Sequence, residues 1–77
     1  MATDAAELDQ LQNAFKSSVE QWIARIREEE AVASTEHSAA DIDRWEQAAF
    51  RQRAAGDEVK AAKKRYEDAL RREFFDF

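Results

Sequence analysis

Cysteine and proline are absent from this 77-residue sequence, and glycine occurs once, at Gly56. Without cysteine the chain has no disulfide and no thiolate metal site, so stability must come from regular helix packing or from oligomerisation. One glycine, no proline and abundant Ala, Glu, Gln, Lys and Arg are typical of a helical protein. The absence of cysteine also agrees with a reducing cytoplasm, and we expect a cytoplasmic location.

Long apolar runs are missing too. None approaches the ~20 residues that a membrane span needs, and the first ten residues lack the basic and apolar segments of a secretory signal. We therefore expect no membrane contact. Charged residues make up 38% of the sequence, but 44% apolar content and two tryptophans favour a packed structure over disorder. The net charge of −5 comes from the first half, because residues 38–77 contain nine acids and nine bases.

Large apolar residues in the first half recur at intervals of three and four, which places them on one face of an α-helix. We predict this helix over about 4–33. Asp4 and Glu7 have the spacing of a capping box at its start. The apolar face consists of Leu8, Leu11, Phe15, Val19, Trp22 and Ile26.

The segment ASTEHSAAD is the credible break in the helical pattern. Ser34 and Thr35 compete with the backbone for hydrogen bonds, and Ser38 followed by Asp41 predicts a new helix N-terminus. We place the loop at about 34–37 and the second helix at about 38–74, with a short aromatic C-terminal tail. So short a loop predicts a single-domain antiparallel hairpin over residues 1–77.

The second helix has three seven-residue registers side by side. Two form an apolar seam, and the third is a row of alanines that would let another helix approach closely. The seam positions are Ile42, Ala49, Gly56, Lys63, Leu70 and Phe77 in one register and Trp45, Gln52, Val59, Tyr66 and Glu73 in the other. The alanine row is Ala48, Ala55, Ala62 and Ala69.

Folding the chain at the loop places residues side by side when their numbers add up to about 71. Phe15 then faces Gly56, and Trp22 faces Ala49, so that large residues lie opposite small ones. Gly56 costs ~1 kcal/mol in a helix interior, which favours a close-packing role for it.

The apolar band on the second helix is too wide for one partner helix. We therefore predict an all-α fold in which the hairpin dimerises into a four-helix bundle with coiled-coil-like packing. A parallel and an antiparallel dimer both fit, and a longer helical assembly or a heteromeric bundle would bury the same stripes. The predicted dimer interface is Trp45, Ala48, Gln52, Ala55, Val59, Ala62 and Tyr66.

Several apolar residues fall outside the seams. Ile23 and Phe50 could share one lateral surface, either as a second layer of the dimer or as a patch for another protein. The tail residues Phe74, Phe75 and Phe77 extend beyond the predicted end of the first helix and would be uncovered in an isolated hairpin. We assign these five residues to partner binding.

Catalytic chemistry has little support in the sequence. The single histidine, His37, lies in the predicted loop, and no nucleophile, base and orienting group can be recognised together. Glu28, Glu29 and Glu30 are consecutive, so they point to different sides of a helix and do not form a metal site. We expect no enzyme activity and no cofactor.

The leading hypothesis is a dimeric interaction module that binds and regulates, inhibits or scaffolds a larger protein, in the manner of small bacterial or phage accessory regulators. The alternative is an RNA-binding hairpin dimer that contacts phosphates through the second helix. The net charge of −5 and the interspersed acids disfavour this alternative. Its candidate contacts are Lys60, Lys63, Lys64 and Arg65.

Overall fold

The computed structural model describes residues 5–33 and 38–75, and both segments are helical. Helix α1 is Ala5–Ala33 and helix α2 is Ala39–Phe75, and the two pack against each other as an antiparallel hairpin. The predicted all-α hairpin is thus confirmed over the described residues. The predicted loop at 34–37, the Asp4 cap and the terminal Phe77 lie outside them.

The hairpin is one layer of helices. It measures 57 × 18 × 11 Å, and its smallest dimension is that of a single helix. Its radius of gyration is 17.4 Å, whereas a compact domain of this length has about 11.5 Å. Within the described residues of one chain, each helix therefore packs against one other helix, and most of the helix circumference faces outward.

The interior of the hairpin is built from small residues. In α2 the buried residues are Ala48, Gly56, Ala62 and Ala69, and in α1 the buried residue is Ser18. The Ser18 hydroxyl donates to the carbonyl of Phe15 over 2.6 Å, which satisfies this polar group inside the seam. No large side chain among the described residues is fully buried.

The α1 stripe faces α2 but is only partly covered. Leu8, Leu11, Phe15, Val19 and Trp22 are half-buried, and Ile26 retains 39% of its exposure. The apolar face was therefore predicted in the right place. Its burial is incomplete because one row of alanines covers less surface than a second layer would.

Gly56 lies against the Trp22 indole. A methyl group at Gly56 would lie 3.1 Å from Trp22 Nε1 and 3.2 Å from its Cε2, closer than ordinary van der Waals contact. The close-packing role of Gly56 is thus confirmed. The predicted partners were wrong, because Trp22 and not Phe15 occupies the space above this glycine.

The cause of that error is the direction of the side chains. In a helix they tilt toward the N-terminus, so in an antiparallel pair α1 side chains lean away from the loop and α2 side chains lean toward it. Both tilts raise the sum of the contacting residue numbers, to 78 for Trp22 and Gly56 and to 79 for Glu28 and Arg51. A sum of about 71 therefore does not identify the side chains that touch.

The start of α2 is held by Ser38 and Asp41. The Asp41 carboxylate accepts the backbone N–H of Ser38 over 3.1 Å, and the Asp41 N–H donates to the Ser38 carbonyl at the same distance. This is the acidic half of a capping box, with Ser38 as the cap residue. The local signal in the sequence therefore marks the beginning of α2 correctly.

Candidate interaction surfaces

Two of the three alanines predicted for the dimer interface are already covered within one chain. Ala48 is 0% and Ala62 is 2% exposed, because α1 packs directly on them. A second copy cannot contact these two residues while the hairpin stays closed. The dimer itself remains a prediction, and its interface must use other residues. Of the remaining predicted interface residues, Gln52, Ala55, Val59 and Tyr66 are half-buried and Trp45 is exposed.

Four large apolar side chains are exposed near the end of the hairpin where the helices connect. On α2, Ile42 is 62% and Trp45 is 46% exposed, one turn apart. The Trp45 indole N–H donates to Glu29 on α1 over 3.2 Å, which positions the ring across both helices. We call this set the loop-end cluster: Ile23, Ile26, Ile42 and Trp45.

The opposite side of α1 is charged. Glu28 lies about 200° round the helix from Ile26 and binds two arginines. Arg25 Nη1 lies 2.8 Å from Glu28 Oε2, and Arg51 Nε on α2 lies 2.8 Å from Oε1. The hydrogen bonds from Arg25 and from Arg51 lower the pKa of the Glu28 carboxyl. An ion pair between the helices therefore closes this side, while the other side exposes isoleucine and tryptophan.

Phe50 points away from α1. It follows the buried Ala48 by two residues, which is about 200° round the helix, and 67% of its surface is exposed. Two open grooves, of about 490 and 320 Å³, flank it. The larger groove also contains Trp22 beside Gly56, and the Trp22 Nε1–H there has no hydrogen-bond partner in the described part of the chain. Ile23 lines neither of these grooves, and the expected shared surface of Ile23 and Phe50 stays a prediction.

The residues around Phe50 form a second stripe on α2 with spacings of three and four. Its six members line the two grooves, and its five charged members take part in no ion pair or hydrogen bond with the described residues. We call it the outer stripe: Asp43, Glu46, Phe50, Arg53, Asp57 and Lys60.

Charges elsewhere on α2 are paired. Between Asp41 and Arg71, every charged side chain outside the outer stripe has an opposite charge within 4 Å. The unpaired charges of this part of the helix are thus confined to the stripe that contains Phe50. Neither the spacing of residues along α2 nor contact with α1 explains why the unpaired charges are confined to this stripe.

The basic run proposed for nucleic acid is largely neutralised. Lys63 lies 3.6 Å from Glu67, Lys64 lies 3.1 Å from Asp68, and Arg65 lies 2.9 Å from Glu58. Of the four candidate phosphate contacts only Lys60 has no such partner among the described residues. Paired lysines and arginines attract phosphate less, since a carboxylate lies beside each of them.

The described part of the tail is exposed. Helix α2 has 37 residues and α1 has 29, so α2 is about 12 Å longer. Phe74 is 68% and Phe75 is 66% exposed, although the structure extends the helix through both. Phe77, the third tail residue assigned to a partner, lies outside the described residues.

Chemical groups that could form a catalytic or metal site do not assemble in the described segments. These segments contain no group of three histidine, cysteine or acidic residues that could hold a metal ion, and His37 lies outside them. Nor do they include a helix that is long and apolar enough to cross a bilayer. Glu28 and Glu29 of the acidic triplet bind Arg51 and Trp45 instead.

Comparisons with protein-family models, with curated proteins and with solved structures found no match for this chain. Its function must therefore be inferred from the surfaces described above.

Proposed function

We propose that this protein is a small non-enzymatic interaction module, which self-associates and binds and regulates a larger protein. The observation that supports this most is its excess of exposed surface. The hairpin exposes 5996 Å², whereas a folded monomer of 8.9 kDa exposes about 4,800 Å². The difference, about 1,200 Å², exceeds the ~800 Å² that each partner contributes to a standard protein interface.

The kind of surface that is exposed supports the same proposal. Among the described residues, those that the single chain buries are alanine, glycine and serine, whereas seven large apolar side chains stay exposed. Covering one such side chain fully is worth about 1.5–3 kcal/mol. The exposed set is Ile23, Ile26, Ile42, Trp45, Phe50, Phe74 and Phe75.

The exposed residues form separate groups, which suits a module with two different contacts. The loop-end cluster spans both helices, and tryptophan, present there as Trp45, is enriched among residues that dominate binding energy. The outer stripe lies on the far side of α2. We assign the loop-end cluster to the larger protein, and the self-association to another surface.

Partner binding is tested by affinity capture from the host lysate with wild-type protein and two variants. Ile42→Glu changes the loop-end cluster, and Ala24→Glu places the same charge at another exposed helical position as a control. We expect a protein that is retained stoichiometrically by the wild type and by Ala24→Glu, and that is lost with Ile42→Glu. Retention of the same proteins by all three would contradict the assignment.

A further inference from the structure

The outer stripe combines one large aromatic residue with charges that have no partner among the described residues of their own chain. Reading from its N-terminal end, the order is two acids, Phe50, a base, an acid and a base. The N-terminal half is thus acidic, and two of the three charges in the C-terminal half are basic. When one copy of this stripe is reversed and laid on another, the acidic half of each meets the basic residues of the other.

We propose that the outer stripe is a self-association surface whose occupant is a second copy of the chain, with the two α2 helices antiparallel about a two-fold axis near Ala54. This inference rests on the proposed function, since it specifies the surface through which the module self-associates. It also decides between the parallel and antiparallel arrangements, in favour of the antiparallel one.

The charges determine the register. With the axis near Ala54, Glu46 of one copy lies beside Lys60 of the other, and Arg53 lies beside Asp57. The residue numbers add up to 106 and 110 in these two pairs. Each pair occurs twice, because the same patch meets itself across a two-fold axis. The remaining acid, Asp43, lies nearest to Lys64 of the second copy, with residue numbers that add up to 107, and Lys64 also pairs with Asp68 of its own chain.

The apolar contacts agree with this register. Ala54, at the axis, has a small side chain that allows two helices to approach closely. Phe50 lies one turn before Ala54, so the two copies of Phe50 lie on opposite sides of the axis. Each faces the larger groove of the other copy, whose lining includes Trp22 and Gly56.

The charge pattern favours a second copy over a different protein. The five charges of the stripe have no partner among the described residues of their own chain. A single antiparallel register gives four of them opposite charges, and the same register places Ala54 of both copies at the axis. An unrelated protein would need no internal match between the two halves. Complementary charges across an interface fix register and exclude wrong partners.

The test uses reciprocal charge reversals in the full chain. Glu46→Lys brings like charges together twice in a dimer of itself, and Lys60→Glu does the same with acids. By sedimentation equilibrium, we expect each variant alone to raise the dimer Kd by about tenfold or more, since two attractive pairs become repulsive. Mixed in equal amounts, the two variants form a heterodimer with both pairs attractive, so its Kd should return to within about threefold of the wild type.

Matched controls separate this effect from net charge and from folding. Glu30→Lys and Lys16→Glu make the same charge changes at exposed positions of α1, and should leave the dimer Kd unchanged. Circular dichroism of every variant should show the helix content of the wild type, because all four positions are exposed on helices.

Three outcomes would overturn the inference. If the single reversals behave like the controls while the wild type is dimeric, the outer stripe is not the surface, although self-association stands. If the mixture does not recover, the contact is not reciprocal and the antiparallel register is wrong. If the wild type is monomeric at its highest soluble concentration, self-association fails as well, whereas the capture experiment still judges binding to a larger protein.

Discussion

The two long sides of α2 differ in the size and the burial of their apolar residues. The side that packs on α1 carries alanine and glycine and is buried, while the outer stripe carries Phe50 and is exposed. In most domains the large side chains are inside. The difference indicates that close approach of the helices holds the hairpin together, whereas Phe50 stays exposed and available for the self-association that we propose.

Adding side-chain volume should destabilise the hairpin more on the inner side of α2 than at an exposed helical position. Ala62→Leu inserts three carbons where α1 already leaves only 2% of the residue exposed. We expect a loss of about 1–3 kcal/mol in unfolding free energy by urea denaturation, because overpacking separates the helices. Ala24→Leu, at an exposed position of α1, should stay within about 0.5 kcal/mol of the wild type. Equal effects of the two changes would remove the distinction between the inner and outer sides.

A double-mutant cycle measures the contact of Gly56 with Trp22. In the wild-type background, Gly56→Ala should raise the unfolding free energy little or not at all, because the new methyl group would lie 3.1 Å from Trp22 Nε1. In a Trp22→Leu background the same change should gain about 1 kcal/mol, the ordinary helix-propensity difference. The coupling energy between the sites is therefore expected to be about 1 kcal/mol. A gain of the same size in both backgrounds would show that Gly56 is merely tolerated.

The Glu28 ion pairs should contribute less to the stability of the hairpin than the packing at Ala62 or at Gly56. Because Arg25 and Arg51 lower the pKa of Glu28 in the folded state, its contribution to stability is fully present above the ordinary carboxyl pKa of about 4.5. It is lost as the pH falls through the lowered value. Thermal unfolding of Glu28→Gln should give a slightly lower Tm than the wild type at pH 7, and the difference should disappear in acid. A constant difference at every pH would exclude the ion pair as its cause.

The smallest effect on the hairpin itself is expected for Phe50→Ser. Since 67% of Phe50 is exposed, its removal should change the unfolding free energy of the isolated hairpin by no more than about 0.5 kcal/mol. This must be measured at a protein concentration low enough to keep the chain monomeric, because self-association adds to apparent stability. A large loss there would mean that Phe50 belongs to the inner structure after all.

Local patterns in the sequence predicted much of the fold. Apolar spacing in α1, the cap formed by Ser38 and Asp41, and the scarcity of glycine and proline each act within a few residues along the chain. They were enough to place two helices and to expect an antiparallel hairpin. They also singled out Gly56 as a site of close packing, since a helix interior tolerates glycine poorly without a reason.

Which residues meet was harder to predict. The sequence pattern assigned Ala48 and Ala62 to a dimer, although α1 covers them, because a small residue allows close approach by any helix and does not say which. Ser18 was missed as an interior residue because a serine carries no apolar signal. The outer stripe was missed because charges with and without partners look the same in a sequence.

The sequence by itself thus determined the two helices, their break and the presence of more apolar surface than a hairpin can bury, because these depend on local periodicity and composition. Only the tertiary structure decided how that surface is divided. It showed that α1 covers Ala48 and Ala62, that Trp22 lies on Gly56, and that the charges around Phe50 lack partners among the described residues. Each of these depends on the direction and reach of side chains across the helix pair, which no spacing along one chain contains.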